Sequence, residues 1–508
     1  MAKPKSFRPW VPEQTLLLPP SPVDWLPADH LVFFMLELPN ELDFEPFLAP
    51  SRHKDPRGEK GFDPRMMAVL LLYAYCVGIP SSRKIERACY EDAAFRVLSG
   101  NQQPDHSRIS EFRRRNLKAL EELFVQVLRL CQKAGMVSLG HVALDGTKIK
   151  ANASKHKAMS HGRMLKAEAQ LEDEVKKLLR RAELLDAQED QRYGKKNGGG
   201  LPEELQRRQD RLDKIRQARK ELEAETAAAA ARQRQQDAEA ARQKADAAEV
   251  HQQDHLQQRA RAAAAKASAA RDLAIEKAAI AGLEPPDLEP LALDAMPRRG
   301  LPASAAGVPD AKAQRNFTDP DSHIMKTDGG WIQGYNCQAA VDGDHQVIVA
   351  VGVSNQPPDS EHLEPMLERI ADNAGALPDV MTTDAGYCSE ENIKSCEQRG
   401  IDPHIATGRL SHGQPPPPLR GPIPRNLDAK GRMVRKLRCK KGKKIYARRK
   451  TIVEPVFGQS KEARGLRKFL LRGLEKVNSE WSLMCTGHNL LKLFRFRRAE
   501  TNLAAATG

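Results

Sequence analysis

Between Pro202 and Gly282 the chain contains neither proline nor glycine. A stretch of that length without a breaker favours continuous helix over turns and strands. Upstream of it, Leu171, Val175, Leu178, Ala182 and Leu185 recur at alternating steps of four and three, the seam of a coiled coil. The run Asn197-Gly198-Gly199-Gly200-Leu201-Pro202 interrupts the pattern, and Leu205, Leu212, Ile215 and Leu222 resume part of it. Beyond Ala227 the composition is Ala, Gln, Arg and Glu, which makes helix but no core. Residues 155–282 therefore read as a long helical hairpin with a frayed far end. The prolines from Pro285-Pro286 to Pro309 read as a linker back. Such a segment cannot be the centre of a domain, so the core must be built from what flanks it.

Before the hairpin, residues 1–60 are proline-rich, with short apolar pieces such as Leu31 to Leu36. From Asp63 to about Ala134 the pattern is helical. Ser81-Ser82 is placed to cap a helix through Ile85, Cys89 and Phe95 to Gly100. Ser107 is placed to open another through Ile109, Phe112, Leu117, Leu120 and Phe124, with Arg113, Arg114 and Arg115 on its first turns. Short helices with a basic face resemble a helix-turn-helix, so residues 61–135 read as a DNA-binding domain with Arg113 and Arg114 as contacts. A helical bundle with a solvated basic face fits the same pattern.

The segments on either side of the hairpin read as α/β. His141 to Ile149 is an apolar run that ends in Asp145 and continues in β-favouring residues, hence a strand. After the linker, Tyr335 to Val341 and Val347 to Val353 form a hairpin around Asp342-Gly343-Asp344. A helix over Glu361 to Ala374, a strand Val380 to Asp384, a helix capped by Ser389 over Glu390 to Gln398, and a strand Ile401 to Thr407 follow. Pro415 to Pro418 form a rigid spacer. Residues 420–450 then hold 14 Lys or Arg against one acid, Asp428, and helices are expected from Arg448 to Arg472 and Leu474 to Arg498. The expected segmentation is 1–60, 61–135, 136–154 as the first part of the core, 155–282, the linker 283–312, and 313–498 as the rest of the core.

Composition narrows the partners. Lys and Arg number 81 against 67 acids, a net charge of +14, which favours a polyanion. The eight cysteines form no C-x-x-C pair, so neither a zinc ribbon nor a disulfide framework is expected, and reduced thiols in a cytoplasmic protein fit best. The longest apolar run, Met66 to Val77, falls short of the roughly 18 residues a membrane span needs. The proline-broken N-terminus shows no secretory signal.

The strand order, with a large insert after the first strand, resembles a ribonuclease H-like sheet, in which acids at strand ends meet although they are remote in sequence. Three acids occupy such positions: Asp145 on the first strand, Asp384 in Asp384-Ala385-Gly386-Tyr387, and Glu454 in Val453-Glu454-Pro455-Val456-Phe457-Gly458. With Ala151-Asn152 after Asp145-Gly146-Thr147, and Gly334-Tyr335-Asn336-Cys337-Gln338-Ala339-Ala340-Val341-Asp342, these strings resemble the DDE-type insertion-sequence transposases with an N-terminal helical transposase domain. The resemblance spans about 25–495 and is weakest over 190–310. The family's pattern continues as Tyr, Arg, Glu and Lys. Here Lys461 stands seven positions after Glu454, Lys450 occupies the Arg position with Arg449 beside it, and Tyr446 lies one residue further from the Glu than usual. The expected fold class is thus α/β: a ribonuclease H-like catalytic core interrupted by a helical, coiled-coil insertion and preceded by an all-α domain.

The resemblance implies a polynucleotidyl transferase that cuts double-stranded DNA at element ends and joins the freed 3′-hydroxyl to target DNA. Phosphodiester hydrolysis puts charge on the attacking and leaving oxygens, and two divalent ions stabilise both. Mg²⁺ or Mn²⁺ takes oxygen ligands, so Asp145, Asp384 and Glu454 suffice, with no small-molecule cofactor. Arg449, Lys450 and Lys461, with the basic tract, are placed to bind phosphates. A homo-oligomer, as a dimer, is expected, with the insertion mediating self-association or end binding. Each residue also has a plainer reading. A lone Asp after a strand is usually a turn or cap residue, and the basic tract could be a solvated loop. Asp342 reads as a turn residue or a group behind the site, Asp319 and Asp321 as loop, and Asp359 and Glu361 as a helix start, with an active-site role as the alternative. His141, His488 and Trp481 read as packing residues. A nuclease or resolvase that cuts without joining, and a non-catalytic DNA-binding scaffold, are the competing functions.

Overall fold

The computed structural model describes residues 21–49, 61–193, 203–249, 254–289, 292, 294–298, 307–327, 329–408 and 427–507. The breaker at 197–202, the spacer 415–418, most of the segment 1–60, and Arg420 and Arg425 of the basic tract lie outside these residues. The chain divides into two compact units, residues 1–127 with 490–508, and residues 128–489.

The first unit is helical. It contains α1 (Leu31–Glu41), α2 (Glu45–Leu48), α3 (Pro64–Val77), α4 (Ser82–Glu91), α5 (Ala93–Leu98), α6 (His106–Arg115) and most of α7 (Leu117–Lys133). α3 is the apolar run. Asp63 caps it through Arg65 N, Pro64 sits where no hydrogen bond is lost, and Gly78 closes it at φ 78°. Met67 to Cys76 are all buried. Two expectations are corrected here. The helix from Ser82 does not reach Gly100, because Asp92 turns its side chain onto Ala94 N and Phe95 N and starts α5. α6 is opened by Asp105, which accepts from Ser107 N and Arg108 N, so Arg113, Arg114 and Arg115 fall in its last turn and not its first.

The second unit is a mixed α/β structure built on one six-stranded sheet. β1 (Val142–Lys150) leads into β2 (Ala158–Ser160) and then three long helices, α8 (His161–Tyr193), α9 (Glu203–Glu249) and α10 (Asp254–Ala281). The chain returns through β3 (Gln314–Asn316) and β4 (His323–Thr327) to β5 (Gly330–Asp342) and β6 (Ile348–Ser354). Then come α11 (Leu363–Ala374), β7 (Val380–Thr383), α12 (Glu390–Gln398) and β8 (Asp402–Ile405). The basic tract forms α13 (Ala429–Arg438) and α14 (Lys440–Ala447), so its described part is helical rather than a loop. The helix expected from Arg448 to Arg472 is broken into α15 (Arg449–Ile452), α16 (Glu454–Gly458) and a π-helical turn at Gln459–Ala463. α17 (Leu474–Thr507) begins in this unit, and its residues from Leu490 on belong to the first.

The sheet order is β4-β5-β1-β7-β8, with β6 also paired to β5. β1 runs antiparallel to β5 and parallel to β7, and β7 runs parallel to β8. β1 is paired on both edges, and its Val142, Ala143 and Leu144 are wholly buried. β2, β3 and β4 were not expected. β2 and β3 form a short separate ladder at the base of the long helices, and Arg315 on β3 pairs with Glu221 (2.6 Å) and Glu225 (2.5 Å) of α9.

The leucine seam is where α8 meets α9. Met164, Leu171, Leu212, Ile215, Ala218 and Leu222 form one buried cluster with Ala313. The insertion is nonetheless not a two-helix hairpin. α10 folds back along α9, and Ala227, Ala231 and Ala274 pack together where no core was expected. Alanine has little apolar surface but lets helices approach closely, so a stripe of it can pack without large side chains. No single helix among the described residues is long and apolar enough to cross a membrane. All eight cysteines are free.

Candidate active site

β1 changes neighbours along its length. Its pairing with β5 continues to Lys150, but its parallel pairing with β7 stops at Leu144 opposite Thr383. Asp145, still paired with Ala339 of β5, and Asp384, the residue just past β7, are the next residues on the two strands, so both stand where the β1–β7 pairing ends. Asp384 accepts from Gly386 N at 2.9 Å and starts a single turn over Ala385–Tyr387. Asp145 accepts from Gly146 N at 2.9 Å through Oδ1. Its Oδ2 accepts from Arg449 Nη1 at 2.6 Å, and Arg449 Nη2 donates to Glu454 Oε1 at 3.4 Å. The side chains of Asp145 and Arg449 are 16% and 13% exposed, and that of Glu454 is 50% exposed.

The three acids singled out from sequence are therefore arranged unequally. Asp145 and Asp384 are neighbours on adjacent strands, whereas Glu454 reaches Asp145 through the Arg449 guanidinium. Among the described residues, no three His, Cys, Asp or Glu side chains converge closely enough to share one ion.

The electrostatics match this geometry. Burial raises the Asp145 carboxyl to about 6, with Asp384 adding to the rise and Arg449 opposing it. Asp384 is raised as well, by burial first and then by Asp359, against the pull of Gly386 N, Arg449 and Lys148. Arg449 is raised despite its burial because Asp145, Tyr446, Asp384 and Glu454 surround it. Carboxylates that resist ionisation in each other's presence are the setting in which a cation is gained readily. The donors are all oxygens, which suits a hard divalent ion.

Asp359 is the acid for which the sequence favoured a helix start over an active-site role. It does not start the helix. α11 begins at Leu363, and Asp359 lies in the loop before it. Its Oδ1 accepts from Asn336 Nδ2 at 2.7 Å and Gln338 Nε2 at 2.8 Å. Gln338 stands opposite Gly146 on β5, and its Oε1 accepts the hydroxyl proton of the fully buried Tyr387. A Cβ on Gly146 would lie 2.7 Å from Gln338 Nε2 and 2.8 Å from Asp359 Oδ1. A Cβ on Gly386 would lie 3.2 Å from Asp359 Oδ2. Asp359 thus sits between the glycine after Asp145 and the glycine beyond Asp384. The available signal was the motif itself, since Asn336, Gln338, Gly146 and Tyr387 belong to three of its strings and all converge on this acid or its partner Gln338.

The remaining residues separate clearly. Arg113 is buried, donates to Pro80 O at 2.6 Å and lies 5.5 Å from the Tyr75 ring centroid; it holds the first unit together and is not presented to DNA. Arg114 and Lys450 are exposed. Arg449 faces the acids rather than solvent. Lys461 donates to Lys148 O at 3.2 Å. Lys436 is tied to Asp402 and Pro403 O. Asp342 holds the hairpin turn by accepting from Leu139 N at 2.9 Å and Asp344 N at 3.0 Å. Asp319 is buried and accepts from the Tyr335 hydroxyl (2.8 Å) and Gly473 N (3.0 Å), a structural anchor rather than a plain loop residue. His141, His488 and Trp481 are buried packing residues, and Trp481 Nε1 donates to Gln338 O at 2.9 Å.

Two family models match the chain. The one described as Transposase DDE domain matches residues 291–490, and so takes in Asp359, Asp384, Glu454 and Lys461. The one described as Transposase domain (DUF772) matches residues 21–115, the greater part of the helices of the first unit. No curated protein and no solved structure matches. DDE domains carry a ribonuclease H-like fold and work with divalent metal ions. Two transposase models in their expected order, on a chain whose strand-end aspartates meet, identify it as a member of the insertion-sequence DDE transposases, enzymes of DNA transposition.

Proposed function

We propose that Asp145, Asp384 and Glu454 are the catalytic carboxylates and that Asp145 with Asp384 forms the primary divalent-cation site, taking Mg²⁺ or Mn²⁺, with two ions in the active state. The observation that carries this reading is the end of the β1–β7 pairing at Leu144 and Thr383, which brings two acids together from opposite sides of a long insertion. When bound, the cations activate the attacking water or 3′-hydroxyl and stabilise charge on the attacking and leaving oxygens. The chain's own residues do the rest. Gly386 N and Gly146 N orient the two aspartates. Arg449 neutralises Asp145 and Glu454 and keeps the third carboxylate near the pair. Asn336 and Gln338 hold Asp359 behind the site.

The units divide the remaining work. The first unit, with Arg114 exposed on α6, serves in binding transposon-end DNA. The described basic helices α13 and α14 and Lys450 offset the negative charge of the acids and bind the phosphate backbone. The insertion acts as a coiled-coil module for self-association into a dimer, supported by the buried leucine cluster between α8 and α9. Cleavage followed by strand transfer is favoured over cleavage alone, because both domain matches are to transposases.

The test is a strand-transfer assay on end-containing duplex DNA with Mg²⁺. Asp145→Asn, Asp384→Asn and Glu454→Gln should each lower cleavage and joining together by at least about a hundredfold, with folding retained. Full Mg²⁺-dependent cleavage in any of the three removes that residue from the catalytic set.

A further inference from the structure

The helical insertion distributes its charge unevenly. On α9 the arginines that face α8 are all neutralised. Arg208 pairs with Glu174, Arg216 with Glu168 and Glu172, and Arg219 with Glu168 at 2.8 Å. A different side of α9 faces the turn at Lys155–Lys157. There Arg207, Arg211 and Lys214, spaced four and three apart, line a groove with Lys157 and Phe317 opposite. All four cations are exposed. Arg207 reaches Glu203 at 3.0 Å, but among the described residues Lys157, Arg211 and Lys214 have no carboxylate at ion-pair distance. Among the described residues, the only acid lining the groove is Asp210.

A stripe from residue 207 to 214 covers about 10 Å of helix axis, the axial run of about three phosphates of one DNA strand. Phe317 is partly buried against the leucine cluster between α8 and α9, so it forms a wall and not a free platform for stacking bases. The groove thus offers charge without base-stacking surface, which fits a duplex backbone better than a single strand.

We infer that this groove, at the base of the insertion and outside the Asp145–Asp384 site, binds the phosphodiester backbone of duplex DNA. The inference rests on the chain's being a DNA transposase. It gives the insertion a part in holding DNA in addition to any part in self-association.

The test measures binding of the full chain to a duplex of about 30 bp by fluorescence anisotropy over a range of salt concentrations. The triple variant Lys157→Ala, Arg211→Ala, Lys214→Ala should bind at least about tenfold more weakly at low salt. Its slope of log affinity against log salt should be shallower by about two to three, since each lost phosphate contact removes about 0.9. Asp210→Asn should tighten binding. A control triple on exposed positions of α8, Lys166→Ala, Lys176→Ala, Lys177→Ala, should keep a near wild-type slope, which shows that the effect belongs to the groove and not to net charge. Wild-type binding with an unchanged slope in the groove variant, or an equal loss in the control, overturns the inference. A wild-type chain that binds no duplex at all instead defeats the DNA-binding reading on which it rests.

Discussion

Arg449 donates to Asp145 at 2.6 Å although the two are 304 residues apart. That single contact ties the first strand of the sheet to α15, the short helix just before the one that carries Glu454, and it places a fixed positive charge between two acids. Arg449→Ala should therefore remove a cation that competes with Mg²⁺. Titration calorimetry should show Mg²⁺ binding tightened severalfold, while strand transfer falls by about tenfold or more because Glu454 loses its link to the pair. Arg449→Lys should recover part of the activity, since it keeps the charge but not the two-pronged geometry. Weaker Mg²⁺ binding in Arg449→Ala argues against the neutralising role.

Asp359 raises Asp384 through its negative charge. Asp359→Asn keeps the shape and removes the charge, so Asp384 should ionise at lower pH. The acid limb of the cleavage profile should then move to lower pH. A limb that does not move, or moves up, separates Asp359 from the site.

Two glycines make opposite predictions for the same substitution. Gly146→Ala drives a Cβ into Gln338 and Asp359, so it should cost about 1–3 kcal/mol of stability and most of the activity. Gly458→Ala, with nothing within 4 Å of the new Cβ and a helical backbone, should be neutral or stabilising by up to about 1 kcal/mol. Chemical denaturation of both variants checks the contrast.

His141 is buried, and burial, then Arg448 and His404, hold its imidazole down at about 4. In the unfolded chain it titrates near 6.5. Between those values the unfolded state binds more protons, so the stability that neutral His141 contributes is complete above about pH 6.5 and is lost as the pH falls toward 4. The loss is on the order of 3 kcal/mol. His141→Gln should flatten the stability profile between pH 4.5 and 7, as read by urea denaturation at each pH. A profile as steep as wild type assigns the slope to other groups, of which buried His404 and His362 are the nearest in kind.

Leu222 is wholly buried between α8 and α9, whereas Leu184 is 65% exposed. Leu222→Ala should cost about 2–5 kcal/mol, and Leu184→Ala less than about 0.5 kcal/mol. Amide exchange in the Leu222 variant should accelerate over α8 and α9 and stay slow in β1 and β5, because the sheet has its own core. Uniform acceleration would mean that the insertion and the sheet unfold as one.

Much of this protein was legible from local pattern. The β1, β5, β6 and β7 strands, the seam residues Leu205, Leu212, Ile215 and Leu222, and the Ser389 cap follow from periodicity and capping, which act over a few residues. The breaks at Asp92 and Asn116 were not legible, because a cap competes with helix continuation and only packing decides which wins. Nor was the return of α10 along α9, since no proline or glycine marks it.

Local pattern and composition were enough to name the residues able to do the chemistry: acids at strand ends, glycines beside them, and an excess of positive charge. The tertiary structure decided how they meet. Strand pairing put Asp145 beside Asp384, the loop before α11 brought in Asp359, and Arg449 turned inward to the acids while Arg113 became a packing residue. Those outcomes depend on contacts between segments hundreds of residues apart, and no local preference encodes them.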